Sequence, residues 1–143
     1  MQLIRVLNRV QWEKVCQIRK EVFVEEQGVP LSDEFDKHDQ DPNTEHILIE
    51  RDNHPAATGR IRIVDGKGKL ERICVRLSFR KKGLGKLIVE NLEAIANEKN
   101  TSTVFLHGQT HAEGFYQSLN YQTTSDIFIE DGIPHIMMEK NLK

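Results

Sequence analysis

The sequence is poor in cysteine, proline and aromatic residues, and it has no long apolar run. Two cysteines, four prolines and one tryptophan are present among its 143 residues. Cys16 and Cys74 form no CxxC pair, so we expect two reduced thiols rather than a disulfide or a zinc site. No stretch approaches the roughly 18 apolar residues of a membrane span, and the first residues show no signal-peptide pattern. We therefore expect a cytoplasmic protein that does not bind membranes.

Neither acidic nor basic residues are present in large excess. The chain has 20 basic and 22 acidic residues, which gives a formal net charge of −2. Such a balance offers no general reason to bind nucleic acid. Apolar residues (38%) and charged residues (29%) occur in the proportions of a globular protein, and no repeat or linker divides the chain. We predict a single domain over residues 1–143.

Metal-ligand patterns are also missing. The six histidines lack the spacing of zinc ligands. The acidic segment 36–41 lacks the glycine and the final glutamate of an EF-hand loop. We predict no metal site.

Hydrophobic periodicity predicts a mixed α/β (α+β) fold. A strand near residues 3–6 precedes an apolar helical pattern that ends at Gly28, and the acidic segment 31–45 reads as a long loop or a broken second helix. Three strands follow, near 46–50, 57–64 and 70–75, and their short connections make them antiparallel. A helix at 84–96, a strand at 104–107, a short helix at 111–119 and strands at 126–129 and 136–139 complete the chain. The order β-α-α-β-β-β-α-β-α-β-β predicts a mostly antiparallel sheet of about seven strands with helices on both faces, and the crossover at 70–107 predicts one parallel strand pair.

The most informative segment follows the 70–75 strand and opens the long helix. It consists of Arg80, Lys81, Lys82, Gly83, Leu84, Gly85 and Lys86. A helix N-terminus leaves backbone N–H groups unpaired and carries partial positive charge, which suits a phosphate. Glycine lets the backbone bend sharply and approach a ligand closely. The segment therefore predicts a pyrophosphate-binding turn.

Other interpretations of this turn fit less well. The P-loop pattern GxxxxGK[ST] and the dinucleotide fingerprint GxGxxG both fail on the spacing of Gly83 and Gly85. A nucleic-acid contact through the basic residues would need a broader basic surface. A basic helix start that binds nothing stays open as the plainest alternative.

The pattern R-x-x-G-x-G after a strand resembles the acetyl-CoA-binding motif of the GNAT superfamily. The segment 112–121, AEGFYQSLNY, is similar to that superfamily's A-x-x-F-Y-x-x-x-G-F element, with Asn120 where a glycine is usual. Asn tolerates the positive φ expected there. Residues 19–30, 69–75 and 131–135 resemble the ElaA/YjcF-type branch. The resemblance runs over nearly the whole chain and implies the GNAT fold.

The resemblance also implies an activity and a cofactor site. It implies an N-acetyltransferase that transfers an acetyl group from acetyl-CoA to a primary amine by direct attack, with a non-catalytic acyl-CoA-binding module as the alternative. The 70–75 strand would splay from the 104–107 strand, so that Ile73, Cys74 and Val75 offer main-chain groups to the pantetheine arm. Gln109 and His111 are further candidates for cofactor contact. A small amine is the expected second partner, and a homodimer is a further expectation.

Two side chains are candidates for proton transfer. Tyr116 matches the superfamily's general acid, because a phenol can protonate the departing thiolate. Strand alternation puts Glu71 on the same face as Ile73 and Val75, where a carboxylate would serve as general base. The alternatives are a packed tyrosine and a glutamate paired with Arg60 or Arg62.

The acceptor side is the least defined part. In this fold Glu26, Gln27 and the acidic loop after Pro30 would lie near the acceptor entrance. Their charge would attract a cationic amine. The alternative is a solvated run of charges.

Overall fold

Eight strands form one continuous sheet in the computed structural model, which describes residues 1–143. The strands are β1 (Gln2–Arg5), β2 (Glu45–Arg51), β3 (His54–Val64), β4 (Lys67–Val75), β5 (Thr103–Gln109), β6 (Gln122–Thr123), β7 (Phe128–Glu130) and β8 (Ile133–Asn141). Their order is β1-β2-β3-β4-β5-β8-β6, and β7 pairs with β8. All neighbours are antiparallel except β4 and β5, as the predicted crossover requires.

The helices are α1 (Arg9–Arg19), α2 (Leu31–Glu34), α3 (Leu84–Glu98) and α4 (Glu113–Ser118). Asn8 caps α1 by accepting a hydrogen bond from the Gln11 N–H. The helix continues as a π-helix over Lys20–Glu26 and ends where Gly28 adopts φ +77°. None of the helices combines the length and the hydrophobicity needed to cross a membrane.

Two hydrophobic clusters lie on opposite faces of the sheet. The α3 face buries the larger cluster, in which Ile88 and Leu92 of α3 pack with strand residues such as Ile61. The α1 face buries a smaller cluster that includes Val15 and Cys74. The predicted arrangement with helices on both faces is therefore confirmed.

The pairing of β4 with β5 is short, and this positions the site. The two strands pair at only three positions, the last of which is Leu70 opposite Leu106. Along its other edge β4 pairs with β3, and the register of this pairing shifts at Arg72, whose φ is +55°. This is a β-bulge, which bends a strand and reverses its inward and outward alternation. Beyond Leu70 the strands splay apart, as predicted.

Three features differ from the sequence prediction. The sheet has eight strands rather than about seven, because the two-residue β6 is too short to give an alternating pattern. The π-helix at Lys20–Glu26 was not predicted, since its apolar spacing differs little from that of an α-helix. The acidic segment contains the four-residue α2 and a 3₁₀ turn at Lys37–Gln40, which fits a broken helix.

Candidate active site

A cavity of about 440 Å³ opens where β4 and β5 splay apart. Eleven of the predicted site residues line it: Glu26, Gln27, Glu71, Ile73, Cys74, Val75, Arg80, Gly85, Gln109, His111 and Tyr116. The other five, Lys81, Lys82, Gly83, Leu84 and Lys86, are not among its lining residues. The fold thus brings most of the predicted site residues to one place, although they are distant in sequence.

The turn before α3 has the backbone geometry of an anion site. Gly83 is the N-cap residue with φ +80°, and no side chain caps the helix. The first backbone hydrogen bond of α3 joins the Leu87 N–H to the Gly83 carbonyl, so the preceding N–H groups lack helical partners. Lys81 also has a positive φ of 63°, and such alternation of handedness turns successive N–H groups toward one point.

Side chains around the turn add charge and define its limits. Lys81, Lys82 and Lys86 are exposed and form no ion pair. A Cβ on Gly83 would meet no protein atom within 4 Å, whereas a Cβ on Gly85 would lie 3.3 Å from the Phe115 ring. Gly83 is therefore required by its φ, and Gly85 by close packing within the protein.

Arg80 ties the turn to the rest of the cavity. Its Nε donates to the Val75 carbonyl at 2.8 Å, and its Nη2 donates to Glu26 Oε1 at 2.8 Å. Glu26 is therefore paired with Arg80 of the predicted pyrophosphate-binding turn. Arg80 in turn fixes the end of β4 against the start of α3.

Tyr116 lies in α4 beneath the splayed strands. The residue is 8% exposed, its ring packs on Gly108 and on Tyr121, and its hydroxyl forms no hydrogen bond with a protein group. Burial raises the pKa of Tyr116, with a smaller contribution from nearby Cys74. The phenol is therefore protonated at neutral pH and lines the cavity with its hydroxyl uncommitted.

A chain of polar side chains crosses the cavity. Gln109 Nε2 donates to Gln27 Oε1 at 2.8 Å, and His111 Nε2 lies 2.7 Å from Gln109 Oε1. Gln27 follows the last residue of the π-helix, whereas Gln109 is the last residue of β5 and His111 lies in the turn after it. The three residues therefore join the two walls of the cavity.

The prediction that Glu71 lies on the same face of β4 as Ile73 and Val75 is wrong. The bulge at Arg72 shifts the register, so that Glu71 is opposite Arg60 while Cys74 is opposite Thr58. Residues 58 and 60 share a face of β3, so Glu71 shares the face of Cys74, whereas Ile73 packs on the α3 face. Cys74 thus faces the side of the sheet opposite to Ile73 and Val75.

Glu71 is surrounded by cations, the pairing alternative raised above. Arg60, Arg62 and Lys69 lie 2.7–3.0 Å from its oxygens. Burial opposes its ionisation, but the hydrogen bond from Arg62 and the charges of Arg60 and Lys69 outweigh that effect and lower the pKa of Glu71 to about 2. A carboxylate with so low a pKa is a weak proton acceptor.

Three carboxylates of the acidic segment are folded inward, whereas Asp33 and Asp41 are exposed. Arg19, which is fully buried, bonds Glu34 Oε2 at 2.9 Å and Asp39 Oδ1 at 2.7 Å. Arg60 donates to Asp36 and to Asp39 at 2.9 and 2.7 Å. Since these carboxylates are neutralised inside the protein, they do not present free negative charge to an incoming amine. These three residues therefore fit the predicted acidic entrance poorly, while the rest of that expectation stays a prediction.

A histidine–glutamate pair lines the cavity opposite β4, and the sequence analysis missed it. His107 Nδ1 lies 2.9 Å from Glu130 Oε1, and His135 Nε2 lies 3.8 Å from Glu130 Oε2. The hydrogen bond from His107 is the main cause of a lowered pKa of Glu130, so Glu130 is ionised and His107 Nδ1 is the donor. In the neutral imidazole with this tautomer, Nε2 is the nitrogen left free to accept a proton. The one signal in the sequence was the position of His107 at the end of the apolar run 104–106, where strand β5 leaves strand β4. The chain contains no group of three His, Cys, Asp or Glu side chains arranged to hold a metal ion.

Comparison with known proteins agrees with this geometry. The sequence profile of the GNAT acetyltransferase domain matches residues 8–142. The uncharacterized N-acetyltransferase YjcF of Bacillus subtilis (strain 168) is 39% identical over 142 residues, which cover 99% of this chain and 100% of YjcF. The crystal structure of Escherichia coli ElaA superposes with a TM-score of 0.88 at 26% identity, covering 98% of this chain and 99% of ElaA. An aminoglycoside 6′-N-acetyltransferase in complex with coenzyme A, at 16% identity, covers 100% of this chain and 98% of its own and shares the fold with a TM-score of 0.82.

The chain belongs to the GNAT family of acetyltransferases, and it is therefore an acyltransferase. Its likeness to YjcF and ElaA confirms the branch that the sequence resembles. Asn120 adopts φ 73°, as its place in the F-Y-x-x-x-G-F element requires.

Proposed function

We propose that this protein transfers an acetyl group from acetyl-CoA to a primary amine by direct attack. The observation that carries the proposal is the position of the uncapped α3 N-terminus at one end of a cavity that holds the uncommitted Tyr116 hydroxyl. The first feature suits a pyrophosphate and the second suits a leaving thiolate. One cavity thus offers groups for both ends of the donor.

The donor would lie along the splay. Its pyrophosphate would accept hydrogen bonds from N–H groups of the Lys81–Lys86 turn, where the three unpaired lysines add charge. The pantetheine arm would run between the strands toward Tyr116, with Ile73, Cys74 and Val75 on one side and Gln109 and His111 on the other. Burial raises the pKa of the Cys74 thiol, so this residue is not a nucleophile at neutral pH and an acyl-enzyme is not needed.

The transfer follows from this placement. The neutral amine nitrogen attacks the thioester carbonyl carbon, the C–S bond breaks, and an acetamide and coenzyme A result. The Val75 N–H is a candidate donor to the carbonyl oxygen as it gains charge. The Tyr116 phenol gives its proton to the departing thiolate.

The attacking amine must also lose a proton. Glu71 was the candidate base, but three ion pairs commit its carboxylate. We propose instead that His107 accepts the proton at Nε2, because its Nδ1–H is held by the ionised Glu130 and the resulting imidazolium is stabilised by that carboxylate. In this proposal Glu71 has a structural role, because its carboxylate positions the side chains of Arg60, Arg62 and Lys69.

The role of Tyr116 decides between an enzyme and a non-catalytic acyl-CoA-binding module. Tyr116→Phe removes one hydroxyl that bonds to no protein group, so stability and donor affinity should stay unchanged. General acid catalysis contributes about 10²- to 10⁴-fold, and kcat should fall by that factor. The measurement is coenzyme A release over a panel of amines, with calorimetry of acetyl-CoA binding.

A matched control is Tyr121→Phe. The Tyr121 hydroxyl donates to Glu93 Oε2 at 2.7 Å, on the α3 face and away from the cavity lining. Its loss should lower stability without lowering kcat. Equal kcat in Tyr116→Phe and the wild type, where chemistry limits the rate, would leave Tyr116 a packing residue. Acetyl-CoA binding without turnover of any amine would favour the non-catalytic module.

A further inference from the structure

The side of the sheet covered by α1 and the acidic segment is called the acceptor face here. One guanidinium on this face, that of Arg72, has no hydrogen bond. The other arginines close to this face and to the turn, Arg19, Arg60, Arg62 and Arg80, donate at least two hydrogen bonds each. Arg72 donates none, and its Nε is buried without a partner. A buried donor left unpaired costs about 1–3 kcal/mol, so this arrangement requires an explanation.

The position of Arg72 directs it to the cavity. The residue forms the bulge of β4 and is held at φ +55°, a conformation that costs free energy for a side chain larger than glycine. Arg72 lines the cavity and is 21% exposed at its side chain. It lies two positions beyond Leu70, the last β4 residue paired with β5, and His107 lies one position beyond the partner Leu106. The guanidinium and the proposed base therefore lie on the two walls of the same opening.

The nearby carboxylates do not satisfy Arg72. Glu34 Oε2 is 3.3 Å from its Nε without hydrogen-bond geometry, and the same oxygen accepts from Arg19 Nε at 2.9 Å. Asp36 Oδ2 is 3.9 Å away and is bonded by Arg60. Both carboxylates are thus already bonded by other arginines.

Arg72 differs from its charged neighbours in its bonding. The network contains five cationic side chains, Arg19, Arg60, Lys69, Arg62 and Arg72, and four carboxylates, Glu34, Asp36, Asp39 and Glu71. The ionised Glu130 near Lys69 adds a fifth negative charge, so the charges of the cavity wall balance as a whole. Arg72 is nevertheless the cation whose guanidinium donates no hydrogen bond, and its N–H groups suit the oxygens of an anionic ligand group.

We infer that the acceptor is a small amine that carries a carboxylate, and that Arg72 binds this carboxylate while the amino group faces His107 and Glu130. The inference rests on the proposed function and names its substrate class. An arginine fork suits a planar carboxylate because two N–H groups can bond both oxygens. The acetyl group would then be placed on an amine a few bonds from the carboxylate, as in an amino acid.

The test compares carboxylates with matched amides. The common L-α-amino acids and β-alanine are each assayed beside the corresponding amide, at equal concentrations of unprotonated amine, by coenzyme A release. We expect at least one acid to exceed its amide by about 10-fold or more in kcat/KM, because a charge-assisted pair contributes about 1.5–3 kcal/mol. Arg72→Asn should remove this preference mainly through a higher KM, and Asn tolerates the positive φ.

Two further variants keep the test decisive. Arg62→Gln removes one cation from the same network at a residue that does not line the cavity, and it should keep the acid-to-amide ratio. Arg72→Lys keeps the charge without the fork and should retain part of the preference.

The inference is overturned if acids and amides react equally well, or if no carboxylated amine is acetylated while acetyl-CoA binds. It is also overturned if Arg72→Asn and Arg72→Lys lower kcat/KM by the same factor for the acids and for the amides. Failure of the wild-type protein to bind acetyl-CoA, by calorimetry, would refute the proposed function itself.

Discussion

The two halves of the cavity are built on different principles. The proposed donor half is a short continuous segment, residues 80–86, at the edge of the cavity, and its candidate binding groups are main-chain N–H groups and exposed lysines. The acceptor half is assembled from side chains of α1, the acidic segment, β3 and β4, which form a buried network of ion pairs. Local backbone conformation fixes the first, and long-range packing fixes the second.

The difference teaches where each half is sensitive to mutation. Loss of one exposed lysine leaves the backbone turn in place, so the donor site should be weakened only slightly. Loss of one buried charge leaves its partners uncompensated in a medium of low polarity, so the acceptor face should lose stability as well as specificity. The following predictions test this contrast, from the largest expected change in free energy to the smallest.

Asp39→Asn should produce the largest effect. Asp39 Oδ1 accepts hydrogen bonds from Arg19 and Arg60, both at 2.7 Å, and all three side chains are at most 2% exposed. Breaking a buried ion pair costs about 3–5 kcal/mol because the remaining charge stays buried. Urea unfolding should show this loss at pH 7. The control Glu13→Gln breaks the exposed Arg9–Glu13 pair and should change stability by less than about 1 kcal/mol.

The same variant has a defined pH dependence. Burial alone would raise the pKa of Asp39, but hydrogen bonds and charge from Arg19, with further bonds from the Asp36 backbone and Arg60, lower it from 3.8 to about 2. A group with a lowered folded-state pKa stabilises the protein above its unfolded pKa and loses that effect as pH falls. The difference between wild type and Asp39→Asn should therefore be complete above about pH 5 and shrink as the pH falls from about 5 to about 2. A difference independent of pH would show that packing, and not charge, is lost.

Gly83→Val tests the donor half at its backbone. Valine at φ +80° is strained, and a side chain there would obstruct a phosphate at the α3 N-terminus. Losing one hydrogen bond to a charged group costs about 1.5–3 kcal/mol, so the Kd for acetyl-CoA should rise about 10- to 100-fold. Calorimetry on the folded variant measures this change.

Gly66→Val is the matched control for that prediction. Gly66 has φ +77° in the β3–β4 turn, and a Cβ there also meets no protein atom within 4 Å. Both variants should lose similar stability, but only Gly83→Val should lose acetyl-CoA affinity. Equal affinities in the two variants would mean that the turn does not bind the donor.

The contrast also explains what could be predicted from the sequence. The donor turn lies in seven consecutive residues, and the positive φ of Asn120 follows from its place in a short motif, so local pattern was sufficient. Glu71 was assigned to the wrong face because the bulge at Arg72 depends on pairing with β3, which no local pattern encodes. The ion pairs of the acidic segment were not predicted, because Arg19 comes from a helix and Arg60 from a strand that are distant in sequence. Sequence reasoning therefore predicted the fold order, whereas the donor site stays a prediction and the buried network of ion pairs was not predicted as a whole.

The smallest effect is expected for single lysines of the turn. Lys81, Lys82 and Lys86 are exposed and unpaired, so water and salt screen their attraction to the donor phosphates. An exposed ion pair contributes about 0.2–1 kcal/mol, and Lys82→Gln should therefore raise the KM for acetyl-CoA only about 1.5- to 5-fold with kcat unchanged. Lys20→Gln removes an equal charge from an exposed site outside the cavity lining and should leave this KM unchanged.

Salt dependence separates a direct ionic contact from a change in the turn itself. The Debye length is about 10 Å at 0.1 M salt and about 3 Å at 1 M, so the ratio of KM values between Lys82→Gln and wild type should approach one at high salt. Backbone hydrogen bonds from the α3 N-terminus are much less screened, so Gly83→Val should keep its defect under the same conditions. If Lys82→Gln instead lowers kcat, or if its defect persists at 1 M salt, the lysine shapes the turn rather than attracting the donor. In that case the donor half would depend on its side chains as strongly as the acceptor half does.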